Sequence, residues 1–169
     1  MKIRKATQKD MKTILQIFSD ARTFLHEQEI PQWQGEYPNK LDVLKDIEQN
    51  FAYVLTDDEQ VIGYAALQQT PDANYRTISQ GSWKNNNDNY ATIHRLSTLS
   101  SVRQKGVGKL FFSLLLYEAK RLGFKEVRVD THEKNKIMQK VIAALAFEKR
   151  GIVTVEDGSP RIAYQKFFD

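Results

Sequence analysis

The sequence predicts an α/β (α+β) fold, with residues 1–169 forming a single domain. Three observations predict it. Segments with the two-residue alternation of strands are interleaved with segments of helical spacing. Two polar turns, at 57–60 and at Asp157-Gly158, join strand-like runs in the manner of hairpins. A glycine-containing stretch, Arg103-Gln104-Lys105-Gly106-Val107-Gly108-Lys109, lies between a strand-like run and a long helical one.

A chain of 169 residues that is 41% hydrophobic can bury a core. Met1 to Met11 is polar and charged with no apolar h-region, and no run approaches the roughly 18 apolar residues of a membrane span. A soluble, cytoplasmic protein with no membrane partner is therefore expected. With no cysteine there is no disulfide, thiolate metal site or cysteine nucleophile, which suits a reducing compartment. The net charge of +4 comes from 25 basic residues dispersed among 21 acidic ones, a mixed solvated surface and not a nucleic-acid footprint. The same excess would help gather a polyanion by long-range attraction.

In chain order, Ile3 to Ala6 can form a first strand. Thr7 with Asp10 is an acidic variant of the capping box, opening a helix that runs to about His26 on Met11, Ile14, Leu15, Phe18, Ala21 and Leu25. The segment Glu29 to Pro38 breaks the pattern and holds Trp33 and Tyr37. Asn39 with Asp42 caps a second short helix on Leu41, Leu44 and Ile47, ending near Asn50. Phe51 to Thr56 and Val61 to Gln68 form a hairpin. Thr70 to Asn89 is polar and asparagine-rich, long enough for a mobile flap or an acceptor-site wall, and contains Tyr75 and Trp83. From Ala91 to Leu99 the apolar positions Ile93, Leu96 and Leu99 switch parity, which predicts a bulged strand.

Next comes a helix on Leu110, Phe111, Leu114, Leu115, Ala119 and Leu122, closed by Gly123 as a left-handed C-cap and Phe124 as its apolar contact. Lys125 to Thr131 is a strand with Val127 and Val129 on one side. Asn135 opens a helix carrying Ile137, Met138, Val141, Ile142 and Leu145, and Phe147 begins a final strand pair.

Gly106 and Gly108 let the backbone turn and approach a ligand, while the following amides point out of a helix N-terminus that favours anions. Arg103, Lys105 and Lys109 would add charge-assisted contacts to a diphosphate. The spacing fits neither the nucleotide-hydrolase phosphate loop nor the dinucleotide Gly-x-Gly-x-x-Gly. Arg103, Gly106 and Gly108 instead fill the Arg/Gln-x-x-Gly-x-Gly pattern that resembles the acetyl-CoA signature of the GNAT superfamily of N-acetyltransferases. A second run, Asn135-x-x-Met138-x-x-Val141-Ile142-x-x-x-Ala146-Phe147, is similar to that family's Asn-x-x-Ala-x-x-Leu-Tyr-x-x-x-Gly-Phe. With the element order, the resemblance spans nearly the whole chain. It implies a mixed, mostly antiparallel, twisted sheet of about seven strands, splayed at the cofactor site and flanked by about four helices.

The resemblance also implies roles. Leu96, Ser97 and Thr98 would pair with pantetheine, Arg103, Gln104, Lys105, Gly106, Val107, Gly108 and Lys109 would hold the pyrophosphate of acetyl-CoA, and Asn135 would flank the pantetheine arm. CoA is the product, and the acceptor is an amine on a small molecule or peptide. Ile142 stands where the family places a tyrosine proposed as general acid, and Ala146 stands where it places glycine. As base, His94 on the bulged strand is preferred and His132 after Asp130 comes second, an adjacent carboxylate being able to orient it. Trp33, Tyr37, Trp83 and Tyr90 are expected to include part of the acceptor-pocket wall. His132-Glu133 lacks the second histidine of a zinc helix, so no metal is expected.

The expected activity is direct attack of an amine on acetyl-CoA in a ternary complex. The alternative is a catalytically silent CoA-binding or regulatory module on the same fold. The residues leave open the identity of the acceptor and the oligomeric state, a homodimer included.

Overall fold

The computed structural model describes residues 1–169. In chain order it contains β1 (Lys2–Lys5), α1 (Met11–Glu27), α2 (Lys40–Glu48), β2 (Ala52–Asp57), β3 (Gln60–Gln68), β4 (Ala91–Thr98), α3 (Val107–Arg121), β5 (Glu126–Thr131), α4 (Lys136–Ala144), β6 (Glu148–Thr154) and β7 (Pro160–Phe167). The seven strands are ordered β1-β2-β3-β4-β5-β7-β6. Pairing is mixed: β4 and β5 run parallel, while β1–β2, β2–β3, β5–β7 and β6–β7 are antiparallel. No helix is long and apolar enough to cross a membrane. The chain divides into two compact units, Met1–Leu67 with His94–Leu115, and Gln68–Ile93 with Leu116–Asp169.

In the first unit, both predicted caps form. The Asp10 carboxylate accepts the Thr7 N–H at 2.8 Å ahead of α1, and Asn39 Oδ1 accepts the Leu41 N–H at 2.8 Å while Asp42 reaches back to the Asn39 N–H at 2.8 Å. These contacts satisfy donors that a helix start leaves orphaned. Asp58 and Glu59, with φ of 42° and 69°, make the tight turn between β2 and β3, the left-handed pair that matches strand twist. Ile14, Ile17 and Phe18 of α1 and Val43 of α2 pack on Ala52, Val54 and Tyr64 of the hairpin.

Those burials correct the helix faces. Ile17 is buried where Leu15 was expected and Leu15 is 36% exposed; on α2 the buried pair is Val43 and Asp46, with Leu41 74% exposed. On α3, Phe112 and Leu116 are buried and Leu110 and Leu122 are exposed. Each correction is a rotation of the helix toward the surface it covers, which local spacing does not specify.

In the second unit, β4 and β5 register Ala91 with Val127 and Thr92 with Arg128. Beyond Val127 and Val129, β5 also buries Glu126 and Arg128, so both of its faces are covered. Arg128 Nε donates to Glu126 at 3.1 Å, and its guanidinium lies 4.6 Å from the Trp83 ring and 4.0 Å from the Tyr90 ring. The polar segment 70–89 is anchored rather than loose. Trp83 Nε1 donates to the Tyr75 carbonyl at 2.8 Å, Arg128 reaches Asn85 Oδ1 and the Asn87 carbonyl at 3.0 Å each, and Ser79 pairs with Ile152. Both remaining helices end on a left-handed residue. Gly123, φ 94°, closes α3 and Ala146, φ 59°, closes α4, each followed by a phenylalanine whose N–H reaches back five residues, at 3.2 Å and 3.3 Å.

Candidate active site

The glycine stretch lies between β4 and α3, and the chain leading into it is held. The Leu99 N–H donates to the Ile62 carbonyl at 2.9 Å, and Asp20 of α1 accepts the Ser100 N–H at 2.8 Å. Burial pushes the Asp20 carboxyl up, but the Ser100 N–H, the Gln16 amide and the charge of Arg103 outweigh it and hold the group below the ordinary carboxylate value. The Arg103 guanidinium lies 4.7 Å over the Phe24 ring. Left-handed Gln104 and Gly106, φ 63° and 74°, then turn the chain into α3, whose Leu110 N–H bonds back to the Gly106 carbonyl at 3.0 Å. The amides of Val107, Gly108 and Lys109 are first-turn donors with no acceptor four residues earlier.

Gly108 is informative because nothing in the chain requires it. Its φ is not left-handed, and a Cβ built there meets no atom within 4 Å. A glycine at a helix N-terminus that neither conformation nor packing demands leaves room for a group from outside to reach the amides.

The strand before the cradle carries its bulge at Arg95, φ 58°. Ser97 Oγ donates to the Arg95 carbonyl at 3.0 Å. The Arg95 side chain donates Nη2 and Nε to Asp46 at 2.5 Å and 3.0 Å and Nη1 to Tyr37 Oη at 2.7 Å, while Tyr64 Oη donates to Asp46 at 2.6 Å. Burial pulls the guanidinium pKa down, and Tyr37 and Asp46 overcome this to hold it above its ordinary value. Burial, aided by the Asp46 charge, pushes the Tyr64 phenol up. Sequence reasoning missed Arg95 and Asp46. The one signal was an acid three residues after Val43, on a helix face that should be apolar.

The remaining candidates fall as follows. His94 is half-buried on β4. Tyr37 is 43% exposed, and the Trp33 ring packs edge-on against Phe18 at 6.2 Å. Trp83 and Tyr90 belong to the second unit, where Trp83 packs on Tyr75 with ring centroids 5.3 Å apart and Tyr90, 2% exposed, is a core residue. His132 is buried, and its Nδ1 accepts the Lys134 N–H at 3.1 Å. Burial and the nearby Arg161 charge lower its pKa. Asp130, the adjacent carboxylate, accepts the Tyr75 hydroxyl at 2.6 Å, and the His132 Nδ1, which accepts a backbone N–H, does not donate to it. Asn135 caps α4, its Oδ1 accepting the Met138 N–H at 3.1 Å. Ile142 is 1% exposed, a core side chain.

The family model of the acetyltransferase (GNAT) family matches residues 12–147. The chain belongs to the GNAT family. A GNAT-family acetyltransferase from Streptococcus agalactiae 2603 is 31% identical, with 99% of this chain and 95% of that one covered at a TM-score of 0.92. Two more distant structures share the GNAT fold. The yncA protein of Salmonella typhimurium, solved with its cofactor acetyl-CoA, is 19% identical, covered over 100% of this chain and 94% of that one, with a TM-score of 0.68. The PaiA N-acetyltransferase of Thermoplasma acidophilum, in complex with coenzyme A, is 17% identical, covered over 99% and 98%, with a TM-score of 0.71. Among curated proteins none matches. GNAT acetyltransferases use acetyl-CoA, and the open Gly108 and the unclaimed amides at the start of α3 fit that polyanion.

Proposed function

We propose that the protein is an N-acetyltransferase in which an amine, on a small molecule or a peptide, attacks the donor directly in a ternary complex. The observation that carries this is the cradle: glycines at 106 and 108, a helix N-terminus, and a bulged strand immediately before it. Acetyl-CoA, when bound, supplies an activated acetyl thioester. The amides from Gln104 to Lys109, with the side chains of Arg103, Lys105 and Lys109, hold its diphosphate. Backbone groups of Leu96, Ser97 and Thr98, freed by the bulge, take the amide-bearing arm as an added strand and polarise the carbonyl under attack.

His94 receives the acceptor's proton, directly or through water. His132 is the second choice: its Nδ1 accepts the Lys134 N–H, so the neutral ring carries its proton on Nε2 and can take another only at Nδ1, by giving up that hydrogen bond. Ile142 cannot donate a proton, so either another group protonates the departing thiolate or it leaves unprotonated, which a thiol with pKa about 8.5 tolerates. On the acceptor side Tyr37 and Trp33 contribute from the loop between α1 and α2. Trp83 and Tyr90 act as anchors of segment 70–89 that shape the surface above them. The cytoplasm is the compartment that a cysteine-free chain of this kind suits.

The hydrocarbon at Ile142 favours a second reading, a silent CoA-binding module, which turnover separates from the first. The cradle itself is tested by Gly108→Glu, whose side chain enters open space and brings like charge against the diphosphate. Calorimetry should show acetyl-CoA affinity reduced by roughly 100-fold or more in a folded variant, on the scale of several lost charge-assisted hydrogen bonds. Unchanged affinity would remove the cradle from the mechanism.

A further inference from the structure

Arg95 holds a left-handed conformation, φ 58°, in the middle of a strand. That conformation is unfavourable for any residue with a Cβ and persists where the surroundings over-determine it. Here the surroundings are side chains. Asp46 grips the guanidinium at two points, 2.5 Å and 3.0 Å, and is itself braced by the Tyr64 hydroxyl at 2.6 Å. Tyr37 Oη takes the remaining nitrogen at 2.7 Å, and Ser97 Oγ holds the Arg95 carbonyl at 3.0 Å. Asp46 is 3% exposed, on the face of α2 that meets the core. A carboxylate at that depth is costly unless paired, and a well-packed apolar side chain would serve stability as well or better. The pairing therefore points to a role in fixing one local geometry.

We propose that Asp46 is a positioning residue for acetyl transfer. Its grip on Arg95 holds the β4 bulge in its left-handed conformation, and so fixes the Leu96–Thr98 backbone that receives acetyl-CoA. This rests on the donor placement proposed above.

The test compares two variants of one residue. Arg95→Gly and Arg95→Ala both delete the guanidinium and leave the same Asp46–Tyr64 pair, and they differ in the conformational cost of a positive φ. In acetyl-CoA calorimetry Arg95→Gly should bind within about threefold of the wild type, and Arg95→Ala about tenfold more weakly. Asp46→Asn, which keeps size but loses the two-point grip, should weaken binding as Arg95→Ala does; should it fail to fold, the glycine–alanine pair decides alone.

Equal loss in both Arg95 variants would overturn the proposal, because the guanidinium would then act by contact or bulk. Wild-type affinity in both would overturn it too. Gly108→Glu run alongside separates the two failures. If it weakens binding while the Arg95 variants do not, the grip alone is wrong. If it also binds normally, the donor placement is wrong as well.

Discussion

A primary ammonium of pKa about 10 has no lone pair to attack with, so its proton must go to some group before the acyl group can move. His94 sits on the bulged strand, one residue before the left-handed turn of the chain at Arg95. His94→Gln keeps polarity and approximate size. It should lower kcat/KM by about 100-fold near pH 7, leave acetyl-CoA affinity unchanged, and recover part of the rate at high pH where free amine is abundant. A wild-type pH–rate profile in that variant would move the role to His132 or to water. Residue types were readable from the sequence at this scale, but partners were not. Arg95 and Asp46 are 49 positions apart, and no local pattern joins them. The carboxylate next to His132 in sequence accepts the hydroxyl of Tyr75, 55 positions away.

Among the elements, what was legible is what is decided within a few residues. The caps at Thr7–Asp10 and Asn39–Asp42, the hairpin at 57–60 and the glycine closing α3 all depend on backbone groups close in sequence. Helix faces were less legible, because the partner surface selects among overlapping apolar stripes; Leu15, Leu41 and Leu110 ended outside. The bulge of β4 was visible as a change of parity, although its hinge at Arg95 was not.

Ala146 shows a mismatch of residue and conformation that can be corrected. It closes α4 at φ 59° with the same pair of back-bonds that Gly123 makes for α3. Ala146→Gly removes the left-handed penalty of about 1–2 kcal/mol and adds about 0.5–1 kcal/mol of chain entropy cost, a net gain of roughly 0.5–1 kcal/mol. Thermal unfolding should show a Tm higher by about 1–4 °C. A lower Tm would mean that the alanine methyl contributes packing that outweighs its backbone cost.

For the molecule as a whole, the number of strands and the GNAT fold were legible because two motifs and the element order agreed, whereas the order of the strands in the sheet was not. Its response to acid follows from carboxyls held below their ordinary value. Asp10 is held down mainly by Arg4, and Asp20 by the Ser100 N–H, the Gln16 amide and the charge of Arg103, against burial. A group whose pKa is depressed on folding binds more protons unfolded, so its contribution is complete above the unfolded pKa of about 4 and is lost as pH falls through the lower folded value. Stability should therefore drop below about pH 4, and Asp20→Asn should reduce the steepness of that drop in thermal unfolding between pH 2 and 6. An unchanged slope would detach Asp20 from the anchoring of the cradle turn.

The most direct measurement of acetyl transfer is release of the CoA thiol from acetyl-CoA across a panel of amines, amino acids and peptide N-termini, with the mass of each acceptor followed in the same reaction. Release that depends on a particular amine, with that acceptor gaining one acetyl group as an amide, is the predicted result. Saturable acetyl-CoA binding with no acceptor-dependent release across the panel would contradict it and leave a CoA-binding module.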